Sequence, residues 1–223
     1  MTQLDFYFDY IDPASFVMER RIREVADALG LTLRLRPWEI RPPGEAPIPP
    51  DDLSWVAWWD AMAPAAAESG LQLQRPLRVP FTRKAHELRL HAEAAEAADA
   101  AEKAESVPTM ARPGGPDGST SAPSVAARLN DRIFQAALAE GADIGRIDVL
   151  VGLAMELGLD RTETRAVLDV DRFSAEVSDS RGSAIEQGVT GAPTLVIGES
   201  RMEGVHDAAT IREFVTGSMD TEG

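Results

Sequence analysis

The sequence predicts an α/β protein in which two α/β segments flank a long block of helices. Near the N-terminus, an alternating strand, a capped helix and a second alternating strand follow one another. A helix that connects two strands in this way predicts that the strands are parallel. Near the C-terminus the order is helix, strand, strand, helix. The simplest interpretation is a single α/β fold that carries a helical insertion.

The first strand and helix are marked by side-chain alternation and by a capping pair. Large apolar side chains alternate with acidic or polar ones over residues 4–9, which is the period of a strand. Asp12 is a favourable helix N-cap and Pro13 fits the first helical position. We therefore expect a helix over residues 13–29, followed by a second strand over residues 31–38.

The remaining elements follow from periodicity and from helix-breaking residues. Residues 41–53 are rich in proline and are expected to be irregular, and the Pro, Gly, Ser and Thr of residues 106–124 predict a flexible loop. Trp55, Trp58 and Trp59 follow the proline-rich segment at a spacing that puts all three on one helix face. Further helices are expected over residues 82–104, 125–139, 147–157, 162–168, 173–187 and 208–215, with strands over 194–197 and near 201–203.

Composition excludes several classes of function. The chain of 223 residues has a net charge of −15, which repels phosphate backbones and anionic lipid, so we expect neither a nucleic-acid nor a membrane partner. It contains no cysteine, so it cannot form disulfides or thiolate metal sites or exchange thiols by itself. Three scattered histidines predict no metal site. No basic stretch followed by an apolar run opens the chain, so we expect a cytoplasmic protein.

Four segments resemble a known family in their order and spacing: residues 8–16 (FDYIDPASF), 79–88 (VPFTRKAHEL), 157–160 (LGLD) and 188–194 (GVTGAPT). Together they resemble the DsbA family of thioredoxin-fold proteins. The closer resemblance is to its FrnE-like branch and to the 2-hydroxychromene-2-carboxylate isomerases, which are related to kappa-class glutathione transferases. The last segment is the most specific, because it resembles the family's cis-proline loop, here at Pro193.

The resemblance implies a domain organisation and a cleft. It implies a discontinuous thioredoxin-like domain over residues 1–40 and 185–217, and a helical insertion domain over residues 41–184 with its loop at about 106–124. It also implies a homodimer. The cleft lies between the strand-to-helix turn and the cis-proline loop.

The chain departs from the family at the position that defines its chemistry. Redox members have Cys-Pro-x-Cys in the strand-to-helix turn, where this chain has Asp12, Pro13, Ala14 and Ser15. The isomerases commonly have a serine in the place of Asp12, and that serine holds the sulfur of glutathione. A carboxylate repels a thiolate, so we expect no cofactor. Glutathione stays open as an alternative that Asp12 disfavours.

Three residues are the catalytic candidates: Asp12, Ser15 and His86. Asp12 at a helix start is either a cap without chemistry, or a general base or positioning group of the cleft, and a base requires burial to offset the capping bonds. Ser15 can bind a substrate carbonyl or phenol, whereas spacing gives no Ser-His-Asp arrangement for a nucleophile. His86 is either an ordinary surface or core histidine or a general acid/base of the cleft, while His91 is expected to be exposed.

The substrate-binding candidates surround the same cleft, and each has a purely structural alternative. The cis-proline can be a fold constraint, and tryptophans on one helix face are more often core than ligand wall. A cluster of tryptophans also suits a flat aromatic ligand. The candidates are Tyr10, Pro13, Trp38, Trp55, Trp58, Ala192, Pro193 and His206.

Three functions are compatible with these residues. The leading one is a non-redox enzyme that isomerises, cyclises, opens or dehydrates a small aromatic or polyketide-like molecule in a biosynthetic or catabolic pathway. The alternative is a binding or accessory protein that keeps the fold without a reaction. The third is a glutathione-dependent isomerase or transferase. Whether the protein is an enzyme stays open at this point, with an isomerase favoured.

Overall fold

The sheet has four strands and a mixed topology. The structure is a computed structural model that describes residues 3–106 and 123–221. The strands are β1 (Gln3–Phe8), β2 (Thr32–Pro37), β3 (Thr194–Ile197) and β4 (Ser200–Glu203), and their order in the sheet is β2-β1-β3-β4. β1 and β2 are parallel, as the connecting helix predicts. β3 is antiparallel to both β1 and β4.

Eight helices are found in the described residues, and each matches a predicted one. They are α1 (Pro13–Leu29), α2 (Leu53–Glu68), α3 (Arg83–Ser106), α4 (Val125–Leu138), α5 (Ile147–Glu156), α6 (Arg161–Asp169), α7 (Ser174–Glu186) and α8 (Ala208–Thr221). α8 extends beyond the predicted end, because Met219 packs against the core and keeps the chain helical. The loop predicted at residues 106–124 lies almost wholly outside the described residues.

The strand order determines what surrounds the start of α1. Tyr7 of β1 pairs with Thr194 of β3, so the chain that leaves β1 passes beside the chain that enters β3. The predicted turn and the predicted cis-proline loop therefore lie next to each other at one end of the sheet. α1 packs against α2, which brings the tryptophan-bearing helix to the same end.

The helical block packs on itself and on the sheet around one large core. α3 contacts α4, α5, α6 and α7. His91 on α3 is 5% exposed and its ring lies 6.5 Å from that of Phe173, so the expectation of an exposed histidine is wrong. Its position on the inner face of a helix with little apolar periodicity gave no sequence signal. Within the described residues, no helix combines the length and the apolar character that crossing a membrane requires.

Candidate functional site

Asp12 caps α1, as the sequence predicts. Its carboxylate accepts the backbone N–H of Ala14 at 3.1 Å and that of Ser15 at 2.9 Å, which satisfies two donors that a helix start leaves unpaired. The Ser15 hydroxyl also donates to Asp12 Oδ2, at 2.7 Å. The capping function of Asp12 is therefore part of the structure, whatever else the residue does.

A fourth donor reaches Asp12 from another helix. The indole N–H of Trp58 on α2 donates to Asp12 Oδ1 at 2.9 Å. Each carboxylate oxygen thus accepts two hydrogen bonds, and Asp12 itself is 1% exposed. Trp58 is 39% exposed, whereas Ala14 and Ser15, which supply the other three donors, are fully buried. Sequence reasoning named both residues but had no signal for their contact.

Burial decides the acidity of Asp12. It raises the pKa of the carboxyl from 3.8 to about 6, although the hydrogen bonds from Ser15, Trp58 and the helix N-terminus all lower it. Burial therefore more than offsets the capping bonds, which is the condition set above for a general base. At neutral pH the carboxyl is mainly ionised, and it can still take up a proton close to that pH.

Ser15 is buried and fully engaged. Its hydroxyl donates to Asp12, and its oxygen accepts the backbone N–H of Asp9 at 3.2 Å. The hydroxyl thus links the end of β1 to the start of α1. This arrangement, with the hydroxyl held between Asp12 and the backbone of Asp9, supports a positioning function for Ser15.

Asp9 is a buried carboxylate that sequence reasoning missed. Its Oδ2 accepts the backbone N–H of Ile40 at 2.6 Å, and its Oδ1 lies 3.6 Å from Nε2 of His86. The sequence pattern placed Asp9 only among the acidic or polar positions of the alternating strand. An available signal was that two acidic residues, Asp9 and Asp12, bracket the turn between a strand and a helix.

His86 is buried and lies beside Asp9, not beside Asp12. Its ring packs against Phe8 and Tyr10, with ring centroids 5.2 and 4.9 Å away. Neither ring nitrogen has a hydrogen-bond partner within residues 3–106 and 123–221. His86 is therefore neither a surface histidine nor a satisfied core histidine. The carboxylate that lies next to its ring is that of Asp9, at 3.6 Å.

Tyr10 and Trp38 occupy core positions. The Tyr10 hydroxyl is buried and donates to Asn130 at 2.9 Å, and burial raises its pKa strongly. Trp38 belongs to a small second core cluster, with the guanidinium of Arg181 5.0 Å from its ring centroid. Ala192 packs against that same cluster.

The three tryptophans of α2 differ in exposure. Trp55 and Trp59 are buried, with ring centroids 5.8 Å apart, whereas Trp58 is half-exposed. A cavity of about 460 Å³ lies next to Trp55 and Trp58. Its other walls come from the proline-rich segment and the start of α2, namely residues 47–49, 52 and 54.

The cis-proline loop is present beside the turn. The Ala192–Pro193 peptide bond is cis, as predicted, and the Pro193 carbonyl accepts the N–H of Gly204 at 2.9 Å. His206 points elsewhere: its Nε2 lies 2.8 Å from the carbonyl oxygen of Glu203, and its own carbonyl accepts from Arg21. The structure thus brings Asp12, Ser15 and Trp58 together, and it holds His206 in contacts with Glu203 of β4 and Arg21 of α1.

A second cavity, of about 470 Å³, has mainly apolar walls and is also lined by arginines. Arg41 is 5% exposed and its guanidinium lies 3.7 Å from the ring centroid of Phe81. The cavity is lined by Arg41, Pro47, Ile48, Pro49, Pro50, Leu77, Arg78, Val79, Pro80, Phe81, Asp143, Gly145 and Arg146. The proline-rich segment therefore forms a wall of both cavities. In the described part of the chain no group of three or more His, Asp or Glu side chains is placed to hold a metal ion.

Comparison with known proteins agrees with this architecture. Residues 118–216 match the sequence profile of the DSBA-like thioredoxin domain. The protein has a DsbA-like thioredoxin fold. Since it has no cysteine, the protein lacks the Cys-x-x-Cys motif. The thioredoxin-like sheet with an inserted helical region matches the fold predicted from the sequence.

Solved structures and one sequence relative extend over nearly the whole chain. A probable DsbA oxidoreductase from Streptomyces coelicolor is 20% identical with a TM-score of 0.73, covering 99% of this chain and 91% of its own. A 2-hydroxychromene-2-carboxylate isomerase is 20% identical with a TM-score of 0.67, at 99% and 97% coverage. The uncharacterized protein YwbO of Bacillus subtilis (strain 168) is 24% identical over 203 residues, 89% of this chain and 88% of YwbO. At these identities the structural likeness shows the fold alone.

Proposed function

We propose that this DsbA-like protein is a non-redox enzyme of the isomerase type that acts on a small aromatic or polyketide-like molecule. The observation that carries the proposal is the buried carboxylate of Asp12, whose pKa of about 6 suits proton transfer near neutral pH. The fold likeness to a 2-hydroxychromene-2-carboxylate isomerase supports an isomerisation over other non-redox reactions.

The proposed reaction is a proton transfer with no net change in protons or electrons. Asp12 takes a proton from a hydroxyl group of the substrate while an electron pair of the substrate moves to a neighbouring bond. The same carboxyl then returns the proton to a second atom of the substrate. Because all four acceptor directions of Asp12 are occupied, the substrate hydroxyl has to replace one donor, and the half-exposed Trp58 is the donor that can leave.

The cavity beside Trp58 is the proposed substrate site. Its volume of about 460 Å³ is in the range of small-molecule sites, and Trp55 and Trp58 give it an aromatic wall. In this arrangement Asp12 is the acid–base residue and Ser15 holds its carboxylate in place through the 2.7 Å hydrogen bond. The carboxylate beside the ring of His86 is that of Asp9, so the catalytic function of His86 stays a prediction.

The geometry supports a reaction without glutathione. In this structure the N–H groups of Ala14 and Ser15 bond the carboxylate of Asp12, so they are not free for a thiolate. The nearby negative charge also opposes a thiolate. We expect isothermal titration calorimetry with reduced glutathione to give no saturable binding, and tight binding would instead support the glutathione-dependent alternative.

One experiment tests the catalytic proposal. The purified protein is incubated with 2-hydroxychromene-2-carboxylate and with a panel of hydroxylated aromatic carbonyl compounds, without glutathione, and turnover is followed by absorbance and NMR. We expect the Asp12→Asn variant to lose turnover, because an amide cannot accept the proton. The matched control is Asp160→Asn, which changes an exposed N-cap of α6.

The pH dependence gives a second measurement on the same enzyme. Since Asp12 must be ionised to act as a base, kcat/KM should rise as the pH increases through about 6 and then level off. Turnover that the Asp12→Asn substitution leaves unchanged would contradict the site assignment.

A binding protein is the second candidate, and one observation favours it. The carboxylate of Asp12 is already saturated by four donors, which is the arrangement of a residue that stabilises the fold. A small aromatic molecule that co-purifies with the protein and is released unaltered, together with no turnover across the panel, would support this candidate.

A further inference from the structure

Arg41 is a largely buried cation that has no ion-pair partner among residues 3–106 and 123–221. Arg41 is 5% exposed, and its guanidinium contacts the ring of Phe81. Its Nε is buried without a hydrogen bond in the same part of the chain. A buried charge is costly unless it is paired, so such a group points to a missing partner.

A buried ion pair elsewhere in this protein shows which kind of partner Arg41 lacks, namely a carboxylate. Arg83 forms a forked contact with Glu39, which is itself 1% exposed. Glu39 and Arg41 are two residues apart, and the carboxylate of Glu39 is used by Arg83. Burial lowers the pKa of Arg41, while Asp9 and Asp143 act in the opposite direction without contacting it. A guanidinium keeps its proton in proteins, so the unpaired charge persists.

The guanidinium borders an apolar cavity of suitable size. The cavity of about 470 Å³ is in the range that encloses one ring-based small molecule. The ring of Phe81 lies against the guanidinium, and prolines and aliphatic side chains form most of the remaining walls. Leu77 at its edge is 96% exposed, which leaves apolar surface open at the mouth.

The charge of the cavity is opposite to the charge of the protein. Arg41, Arg78 and Arg146 line it, against the single carboxylate of Asp143. Arg146 is engaged with Asp148, and Asp143 accepts the N–H of Gly145. On a chain with a net charge of −15, this is a local positive site in which neither Arg41 nor Arg78 forms an ion pair within the described residues.

We propose that this cavity binds a small aromatic carboxylate, with the carboxylate on Arg41 and the ring among the prolines, Leu77 and Phe81. A guanidinium and a carboxylate match in a two-bond, forked geometry. The predominantly apolar walls favour a ligand with a single anionic group on an apolar ring over a phosphate, which needs donors on several sides. The cavity shares residues 47–49 with the cavity beside Trp58, but its walls include neither Trp55 nor Trp58, and the proposed binding does not depend on the reaction proposed above.

The test is calorimetric titration of the full-length protein with 1-naphthoate and with benzoate, compared with 1-naphthamide and inorganic phosphate. We expect saturable binding of at least one carboxylate below ~10 mM and binding of the neutral amide at least about tenfold weaker, because the amide loses the charge-assisted bonds. Turnover is not measured, so failure here leaves the Asp12 proposal intact, and failure of that proposal leaves this one intact.

Two variants of Arg41 and one control locate the site. The Arg41→Met variant should bind the carboxylate about tenfold more weakly or not at all, since it keeps the stem and removes the charge. Because an unpaired buried charge is removed, its melting temperature should not fall. Should it fail to fold, Arg41→Lys takes its place, and weaker binding is expected because the fork is lost. The control Arg75→Met removes an arginine that pairs with Asp60 on the surface, and binding should not change.

Four results would overturn the proposal. The first three are no saturable binding of either carboxylate, equal binding of naphthoate and naphthamide, and carboxylate binding that the folded Arg41 variant does not weaken. The fourth is phosphate that binds through Arg41 as tightly as naphthoate, since the site would then be one for phosphate.

Discussion

Two helices of this protein begin with the same kind of aspartate N-cap in two different environments. Asp12 at the start of α1 and Asp52 at the start of α2 each accept two backbone N–H groups and one serine hydroxyl. The pKa of Asp12 is raised to about 6 because the residue is buried, whereas the Ser54 and Trp55 hydrogen bonds lower the pKa of Asp52 at the surface. Both aspartates thus have the same capping bonds, and burial determines whether the pKa of the carboxyl is raised or lowered.

The comparison separates a structural residue from a candidate catalytic one. Asp52 is an ordinary cap, since everything around it favours its charged form. Asp12 has the same bonds and an additional one from Trp58, and still holds a proton more readily than a free carboxyl. Proton uptake near neutral pH is therefore a property of the buried end of the sheet and not of the capping sequence.

The largest expected effect concerns the pH dependence of stability. The folded-state pKa of Asp12 lies above its unfolded value of 3.8, so the folded protein binds more protons between that pH and about 6. The contribution of Asp12 to the free energy of unfolding is therefore greatest below pH 3.8 and is lost as the pH rises through about 6. This contribution amounts to roughly 3 kcal/mol. Urea unfolding of the wild type and of the Asp12→Asn variant from pH 4 to 7 should show this difference.

The Asp52→Asn variant is the matched control, with the opposite sign. In the wild type, the lowered pKa of Asp52 contributes stability that is present above the unfolded pKa of 3.8 and is lost as the pH falls below it. The variant lacks this contribution, so its unfolding is followed to below pH 3.8. If the two substitutions changed the pH slope in the same direction, the comparison between the two caps would be wrong.

The next largest effect is expected for the serines of the two caps. Ser15→Ala leaves the buried N–H of Asp9 without its acceptor and takes a donor from Asp12, so it should lower the free energy of unfolding by about 2 kcal/mol. Ser54→Ala acts at an exposed position and should cost about 0.5 kcal/mol or less. Denaturant unfolding at pH 7 measures both, and equal costs would show that burial does not distinguish the sites.

A smaller effect is expected from removing the indole donor. Trp58→Phe keeps a ring and removes the hydrogen bond to Asp12, so the pKa of Asp12 should rise further above about 6, at a stability cost of about 1 kcal/mol. Carbon-detected NMR titration of the aspartate carboxyls measures the pKa. The control is Trp55→Phe, because the indole N–H of Trp55 has no partner in the described residues. A pKa that both variants leave unchanged would contradict the Trp58 contact.

The smallest effect is expected at His86. Its ring nitrogens have no hydrogen-bond partner in the described residues, so His86→Leu removes two buried, unpaired polar atoms and roughly preserves the volume. The free energy of unfolding should change by less than about 1 kcal/mol, in contrast to Ser15→Ala. Thermal and urea unfolding test this, and a loss comparable to that of Ser15→Ala would mean that His86 is paired in solution.

Local sequence signals predicted most of the fold. Strand alternation, the Asp12-Pro13 helix start and the spacing of apolar residues gave every described element, since these signals depend on contacts within a few residues. The cis bond at Pro193 followed from the family resemblance. The end of α8 was missed because Met219 is held by distant core residues, which no local pattern reports.

Site residues were predictable by type and not by environment. Asp12 and Trp58 were both named, and their hydrogen bond joins residues 46 positions apart in the chain. Asp9 and Arg41 were missed, because an acidic residue at a strand end and an arginine among prolines are ordinary in sequence. Their burial is what makes them unusual.

The sequence alone determined that thiol chemistry is absent and that a carboxylate and a hydroxyl stand at the start of the first helix. Tertiary structure alone decided that Asp12 takes up protons near neutral pH, that Ser15 is committed to it, and that Arg41 faces an apolar cavity without a partner. The physical reason is that capping is a local interaction, whereas the cost of burying a charge depends on every segment that excludes water from it.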